Sequence, residues 1–206
     1  MSDVERRFHE TWLGMVQPTL GLVVSVPVLV DAQCMERQPP SMQERLLEVC
    51  PPSRQGEVGP EGHRIGDLAR LFSDVLGFAE GSFDTGDALP EELSLYVPEG
   101  KQTLRPTMAL RKIGDVAVPD GADATPASKA GARYEMLVWD LGEVPGGVGL
   151  DLDKPETVTG TWDYPPSAKL DRLLRHCRVP VGLLTNREVI RLVYAPHGES
   201  SGAITF

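Results

Sequence analysis

Two groups of cationic side chains in this sequence have the types and spacing needed to contact phosphate. Arg105, Arg111 and Lys112 lie on or beside one predicted strand, and Arg172 and Arg175 lie on a predicted helix near its C-terminus. Lys and Arg neutralise phosphates in nucleic-acid complexes. Both groups also have a simpler interpretation, because charges protect a sheet edge from strand pairing and cations stabilise the negative end of a helix. They are candidate DNA contacts with a structural alternative.

Motifs for nucleophilic or nucleotide chemistry are few. The run His197–Gly202 brings a histidine close to serines, but no strand-to-helix turn is predicted to hold a nucleophile there, so we interpret it as a loop. The chain has no GxxxxGK[ST], no GxGxxG and no Asn-Pro-Pro-[Tyr/Phe] motif. Cys34, Cys50 and Cys177 are widely spaced without CxxC, which predicts reduced thiols and no metal site.

Composition limits the partners. Asp and Glu number 30 against 20 Lys and Arg, which gives a formal charge of −10. An acidic surface repels phosphate, so the balance argues against an autonomous nucleic-acid binder without excluding a local basic patch. The N-terminus is not a signal peptide, and the longest apolar run, 20–30, is too short to span a bilayer. These features predict a cytoplasmic protein with no membrane partner.

Hydrophobic periodicity predicts the elements that would position these residues. A capping box at Ser41–Glu44 and a glycine cap at Gly77 favour two of the helices. A turn at Thr185-Asn186 joins two strands into a hairpin. The predicted helices span 3–17, 42–50, 64–76 and 165–177. The predicted strands span 91–97, 103–113, 134–141, 181–184 and 190–194. The stretch 21–30 is predicted as a strand or as a strand passing into a helix. The stretches 114–133 and 142–160 are predicted loops.

The order of elements from residue 64 onward is helix, three strands, helix, two strands. This order predicts an α/β module in which a helix crosses over a mixed sheet. A Gly/Pro/Glu-rich loop at 53–62 divides a mainly helical N-terminal cap, 1–62, from the α/β core, 63–206, and the two together are expected to form one compact unit. The abrupt end at Phe206 suggests a piece of a longer protein.

Four stretches of the sequence carry a resemblance to a known family. The longest is WDYPPSAKLDRLLRHCRVPVGLLTNREVIRLVYAPHGESSGAITF, and the others are FHETWLGMVQP, GLVVSVPVLVDAQ and LRPTMALRK. They resemble the N-terminal domain of large type IIG-like adenine-specific DNA methyltransferases, including those of DISARM phage-defence systems. The resemblance implies a restriction-endonuclease-like fold. For the parent protein it implies S-adenosylmethionine as cofactor, with double-stranded DNA and other defence-system subunits as partners.

Active members of that fold carry Pro-Asp on one strand and acid-x-Lys on the next. Two carboxylates hold Mg²⁺, and the lysine orients or activates a water. Here Pro106 is followed by Thr107, and the strand 134–140 contains no lysine, although Glu135 and Asp140 remain as candidate acids. The only acid-x-Lys, at 99–101, lies in the turn before the Pro106 strand, which is the wrong place. The resemblance therefore implies a degenerate nuclease site without catalytic residues.

Three hypotheses follow. The first is an inactive nuclease-like module of a methyltransferase in restriction-modification or phage defence, acting in DNA positioning or protein interaction. The second is a divergent, Mg²⁺-dependent endonuclease that uses Asp140, Glu135 or Asp115. The third is a free-standing regulatory interaction protein whose reading frame stops at Phe206.

Overall fold

The computed structural model describes residues 17–19, 38–53, 62–114, 125–155 and 163–206. Its strands are β1 Gln17–Thr19, β2 Phe83–Thr85, β3 Leu95–Val97, β4 Gln102–Leu104, β5 Met108–Arg111, β6 Tyr134–Asp140, β7 Val181–Thr185, β8 Ile190–Tyr194 and β9 Gly202–Thr205. Its α-helices are α1 Pro40–Val49, α2 Leu68–Arg70, α3 Pro126–Arg133 and α4 Pro166–Cys177, and α2 continues as a π-helix at Leu71–Val75. The predicted helix 3–17, apart from its last residue, and the predicted strand 21–30 lie outside the described residues.

The strands form one mixed sheet and one small hairpin. The sheet has the order β1-β9-β8-β7-β6-β5-β2, so six strands of the core are extended by β1 at one edge. Only β6 and β7 are parallel, and α4 makes the crossover between them. Strands β3 and β4 pair separately. The prediction of an α/β module with a helix crossing over a mixed sheet is therefore confirmed.

Helices cover both faces of the sheet. On one face, α3, α4 and the β3–β4 hairpin pack on a cluster that includes Leu137, Leu184 and Val193. On the other face, the end of α1 and the helical segment 68–75 pack on Met136, Val138 and Leu183 and their neighbours. A sheet that is apolar on both faces needs such a layer on each side.

The crossover helix α4 is the element that the sequence predicts best. Proline at its first turn fits the helical backbone without losing a hydrogen bond. Its predicted inward residues, Leu170, Leu173, Leu174 and Cys177, are all fully buried. The helix lies so close to β7 that a Cβ at Gly182 would come within 2.7 Å of a Leu174 methyl group. Glycine at that position permits the close approach.

The closing hairpin is confirmed and then extended. Strands β7 and β8 pair from Val181–Tyr194 to Thr185–Ile190, with the turn where it was predicted. The part of the chain after the predicted loop at 197–202 forms a further strand, β9, which pairs with β8. The sequence pattern predicted no strand there.

Two predicted strands were placed wrongly. The predicted strand 91–97 lies outside the large sheet, where it forms a 3₁₀ turn followed by β3 of the separate hairpin, and the strand that pairs with β5 is β2 instead. The predicted strand 103–113 is two strands, β4 and β5, separated at Arg105–Thr107. Proline has no N–H to donate to a ladder, so Pro106 ends one strand before the next begins.

Two helix starts also differ from their predictions. The stretch 114–133 was predicted as a loop, but it contains α3, which begins in the expected way, with Thr125 Oγ1 accepting a hydrogen bond from the Ser128 N–H at 3.1 Å. The capping box at Ser41–Glu44 does not form, because α1 begins at Pro40 and Ser41 lies inside its first turn. Gly77 does follow its helix with a left-handed φ of 73°.

Candidate functional site

A cleft of about 700 Å³ opens where β6 ends and β5 begins. Its walls come from the chain segments 66–69, 85–89 and 105–108, together with Asp140, Glu143 and Arg187. The cleft therefore collects the ends of two central strands, the turn after β7 and the helical segment on one face of the sheet. It contains Pro106 and Thr107, the two positions that the resemblance compares with the Pro-Asp motif of nuclease-like domains.

Thr107, the residue before β5, and Asp140, the last residue of β6, lie side by side. The Thr107 N–H donates to the Val138 carbonyl at 2.8 Å, and the Asp140 N–H donates to Thr107 Oγ1 at 3.0 Å. The threonine hydroxyl thus completes the hydrogen bonding at the end of β6. Of the predicted acids, Asp140 is the one that the fold brings to Thr107.

The Asp140 carboxylate is buried and held by Arg187. Its side chain is 1% exposed. Oδ2 accepts hydrogen bonds from Arg187 Nε at 3.0 Å and from a terminal guanidinium nitrogen at 2.8 Å, and Nε also donates to Oδ1 at 3.3 Å. The other oxygen, Oδ1, accepts from the Gly142 N–H at 2.8 Å and caps the 3₁₀ turn at Leu141–Glu143. Bidentate guanidinium–carboxylate pairs are among the strong hydrogen bonds of proteins. The same bonds to Asp140 raise the pKa of Arg187.

Gly142 makes room for this arginine. A Cβ at that position would lie 2.4 Å from both Cδ and Nε of Arg187. Gly142 is the second residue after Asp140, so it stands where an acid-x-Lys motif beginning at Asp140 would have its lysine. The space beside the glycine backbone is taken by an arginine from another loop, 47 residues away in sequence from Asp140.

The turn after β7 positions Arg187 through a left-handed backbone. Arg187 has a φ of 69°, which is uncommon for a residue with a side chain. Its N–H donates to Thr185 Oγ1, and the Asn186 side chain accepts from the N–H groups of Glu188 and Val189, each at 2.9 Å. The turn was predicted at Thr185-Asn186 because asparagine tolerates a left-handed backbone, but Arg187 adopts that conformation instead.

The same turn is fixed to the opposite wall of the cleft. The Ile65 N–H donates to the Arg187 carbonyl at 2.8 Å. Arg64 and Glu188 form an ion pair at 2.8 Å in which each side chain is 17% exposed. The Asn186 amide donates to the Leu150 carbonyl at 2.9 Å. These contacts hold Arg187 in place over Asp140.

The cleft has a negative balance. Four carboxylates and two guanidinium groups line it, so it is negative by two formal charges. Within the described residues, Asp87 and Glu143 have no hydrogen-bond or ion-pair partner for their side chains. Burial, and then the nearby Asp140, raise the pKa of Glu143, whereas Arg187 lowers it. The Glu143 carboxylate is therefore only partly compensated.

Glu135 does not join Asp140. It is exposed at a bulge at the start of β6, and Asp140 lies five positions further along the strand, which is roughly 16 Å at 3.3 Å per residue. One metal ion cannot bind both carboxylates at that separation, because its oxygen ligands lie within about 2.6 Å. The third candidate acid, Asp115, lies outside the described residues. Those residues contain no cluster of three or more His, Cys, Asp or Glu side chains suited to a metal.

The basic residues predicted on or beside one strand bind the protein itself. Arg105 donates to the carbonyls of Gly86 and Leu89, at 3.2 and 2.8 Å. Arg111 pairs with Asp84 at 3.2 Å, and Lys112 donates to the Gly131 carbonyl at 2.8 Å. These contacts brace the chain around β5, which lies between β6 and β2 and not at an edge of the sheet.

The two helical arginines differ from each other. Arg175 pairs with Asp171 at 2.6 Å and donates to the carbonyls of Pro196 and Glu199. Arg172, on the same helix, is exposed. Arg175 therefore serves to hold the β8–β9 connection onto α4.

Two further candidate reactive groups, the Cys177 thiol and the serines of the run 198–202, lie in surroundings typical of structural residues. Burial raises the pKa of Cys177 to about 12, so its thiol is held protonated. The run Gly198–Gly202 also spells GxSxG, but it lies between strands β8 and β9 and is followed by a strand, not by the helix that a nucleophile elbow requires. In the described part of the chain, no helix has the length and apolar character to cross a bilayer.

Arg187 was missed by the sequence analysis, although it is the principal partner of Asp140. The nearest signal was the predicted turn at Thr185-Asn186, which placed a loop at the end of β7 without identifying what the loop would contact. A comparison with known proteins found no matching family model, and no match among curated proteins or solved structures.

Proposed function

We propose that this chain is a non-catalytic interaction module with a nuclease-like sheet. On the strength of the sequence resemblance, it would serve as the N-terminal module of a large S-adenosylmethionine-dependent adenine DNA methyltransferase in bacterial restriction-modification or phage defence. The strand order supports the nuclease-like part of the proposal. Strands β2, β5 and β6 are antiparallel neighbours, and α4 leads from β6 to the parallel strand β7.

The Asp140–Arg187 pair carries the proposal that the module is non-catalytic. The acid nearest to the Pro106-Thr107 position has its oxygens engaged by an internal guanidinium and a backbone N–H. A nuclease would need that carboxylate, and a second one beside it, for a metal ion. The position of the second is taken by Thr107, whose hydroxyl already accepts a hydrogen bond from Asp140 N–H. The residues around Asp140 therefore do not fit Mg²⁺.

Between DNA positioning and protein interaction, the charges favour protein interaction. The cleft is negative, and Arg105, Arg111, Lys112 and Arg175 donate to groups of the protein. A phosphate backbone approaching the cleft would meet the Glu143 and Asp87 carboxylates, whereas both cleft arginines already donate to groups of the protein. Electrostatic attraction supplies most of the sequence-independent affinity of DNA-binding proteins, and this surface offers little of it.

A nicking assay tests the proposal. The purified chain is incubated with supercoiled plasmid and Mg²⁺ or Mn²⁺, beside an Asp140→Asn variant that keeps the size of the side chain. We expect neither protein to convert the plasmid to nicked circles above background. Nicking by the wild-type chain that Asp140→Asn abolishes would establish the endonuclease alternative.

The methyltransferase context has its own test in the gene. An Asn-Pro-Pro-[Tyr/Phe] motif within the same reading frame downstream of codon 206 is the expected result. A stop codon directly after codon 206 would instead favour the free-standing regulatory protein.

A further inference from the structure

An apolar groove of about 260 Å³ lies next to the cleft, between the helical segment 68–75 and the edge strand β2. Its aromatic lining is a cluster of Phe72, Phe78 and Phe83, with ring centroids 4.6 to 5.6 Å apart. Phe72 is buried at the base of the cluster, whereas Phe78 and Phe83 are only partly buried. Aromatic side chains that remain partly exposed in a concave surface are typical of binding sites.

The groove and the cleft form one continuous surface. Ala69, Thr85 and Met108 line both of them. A ligand lying along this surface would contact phenylalanine rings at one end and the cleft carboxylates at the other. The surface is therefore amphipathic along its length.

The charges at the two ends are unequal. In the groove, Arg70 is paired with Asp74 at 3.0 Å, and Glu80 adds one exposed carboxylate. In the cleft, Glu143 and Asp87 have no such partners within the described residues. The cleft end therefore attracts a cation, and the groove end offers apolar contact to a neighbouring side chain.

We propose that this amphipathic surface binds a segment of a partner protein in which a Lys or Arg lies close in sequence to an apolar side chain. The cation binds between Glu143 and Asp87, and the apolar side chain packs on Phe78 and Phe83. The inference rests on the proposed interaction role and specifies its partner. Charge complementarity excludes a phosphate backbone from the same place.

A phage-displayed random peptide library, selected on the whole purified chain, tests this inference. Enriched peptides are synthesised with a fluorophore, and their binding is measured by anisotropy. We expect peptides with a Lys or Arg near a Phe, Leu or Trp. Asp87→Asn and Glu143→Gln should each weaken binding about tenfold, the loss expected for one charge-assisted hydrogen bond.

Two blocking variants test the junction between the groove and the cleft. Ala69→Trp and Thr85→Trp introduce a large side chain at exposed positions on opposite walls of the junction, and each should abolish peptide binding. Glu99→Gln and Glu99→Trp are matched controls, because Glu99 is exposed in the β3–β4 turn outside this surface. Both controls should bind as the wild type does. Two independent blocking positions keep the test valid if one variant fails to fold.

Three results would overturn the inference: no enrichment over the Ala69→Trp protein, enriched peptides without a basic residue, or binding that both blocking variants leave unchanged. Binding of labelled duplex DNA that the blocking variants abolish would also overturn it, by assigning the surface to nucleic acid. Plasmid nicking remains a separate readout. A failure of the peptide site and a failure of the non-catalytic role can therefore be told apart.

Discussion

Two Arg–Asp pairs flank the start of β8 and use the same bidentate chemistry with opposite burial. In the cleft, Asp140 is 1% exposed and Arg187 is 25% exposed. In a smaller pocket next to α4 and β9, Arg191 is 8% exposed and Asp153 is 55% exposed. The buried member is the anion in the first pair and the cation in the second.

This difference determines what each pair contributes. Arg191 also donates to Thr205 Oγ1 at 2.9 Å, and Asp153 accepts from Ser167 Oγ at 3.0 Å, so the second pair links β8, β9 and the start of α4. Among the described residues, the Asp140 carboxylate has one further partner, the Gly142 N–H. The cleft pair therefore neutralises one buried carboxylate, and the other pair joins several elements.

The largest effect is expected from Arg187→Ala. It leaves the Asp140 carboxylate buried without a counter-charge, and breaking a buried pair costs about 3 kcal/mol or more of unfolding free energy. Urea denaturation measures the loss. The double variant Arg187→Ala/Asp140→Asn should be more stable than Arg187→Ala alone, because the buried charge is then absent. A loss below about 0.5 kcal/mol, which is ordinary for a surface substitution, would contradict the assignment.

Asp153→Ala should cost less, about 2 kcal/mol, by the same denaturation measurement. The buried Arg191 guanidinium loses two hydrogen bonds but keeps Thr205, and its long side chain can turn its charge toward water. Glu99→Ala is a suitable control, because Glu99 is an exposed carboxylate in the β3–β4 turn, away from this pair. If Asp153→Ala lowered the free energy of unfolding more than Arg187→Ala does, the difference in burial would not determine how much each pair stabilises the protein.

Gly142→Ala should destabilise the protein by about 1 kcal/mol, because the new methyl group displaces Arg187 from Asp140. Gly66→Ala, in the same cleft, is the matched control, since its Cβ would meet its nearest heavy atom at 3.3 Å instead of 2.4 Å. In an Arg187→Ala background, Gly142→Ala should have almost no effect. Equal losses in both backgrounds would show that Gly142 does not serve to admit the arginine.

The smallest effect is a dependence of stability on acid. Hydrogen bonding to Arg191 holds the pKa of Asp153 below its usual value. The contribution of the Asp153–Arg191 pair to the stability of the folded state is therefore complete above the unfolded pKa of about 3.9. It is lost as the pH falls through the lower pKa of Asp153 in the folded state. Denaturation midpoints measured below about pH 4 should decline less steeply in Asp153→Asn than in the wild type. If the midpoints of both proteins declined in parallel, the Asp153–Arg191 pair would not contribute to the dependence of stability on pH.

Elements with strong apolar patterns were predictable. Strand β6 and helix α4 were predicted within a residue or two of their ends, because the apolar positions of their sequences are the positions that the fold buries. These positions are Leu137 and Val138 on the strand and Leu170, Leu173 and Leu174 on the helix. The domain division at 62/63 stays a prediction. Strand β2 has three residues, too few for a periodic signal, and α3 is hidden by its Ala, Gly and Ser content, although Thr125-Pro126 is a regular helix start.

The site was predictable only in part, for a physical reason. Pro106, Thr107 and Asp140 could be named because the resemblance implies a Pro-Asp position followed by a strand that carries an acid. Arg187 could not, because its contact with Asp140 spans 47 residues of sequence and depends on a left-handed backbone and on the absence of a side chain at Gly142. Local sequence patterns do not indicate contacts between residues that are this far apart in the chain.

The binding of Mn²⁺ tests the central claim, that the Asp140 carboxylate is committed to Arg187 and does not bind a metal ion. Mn²⁺ favours oxygen ligands, as Mg²⁺ does, and its electron paramagnetic resonance signal reports the free ion. Titration of the wild-type chain and of Asp140→Asn should give superimposable curves. If the wild type removed an equimolar amount of Mn²⁺ from the signal and Asp140→Asn did not, the cleft would be a metal site and the account would be wrong.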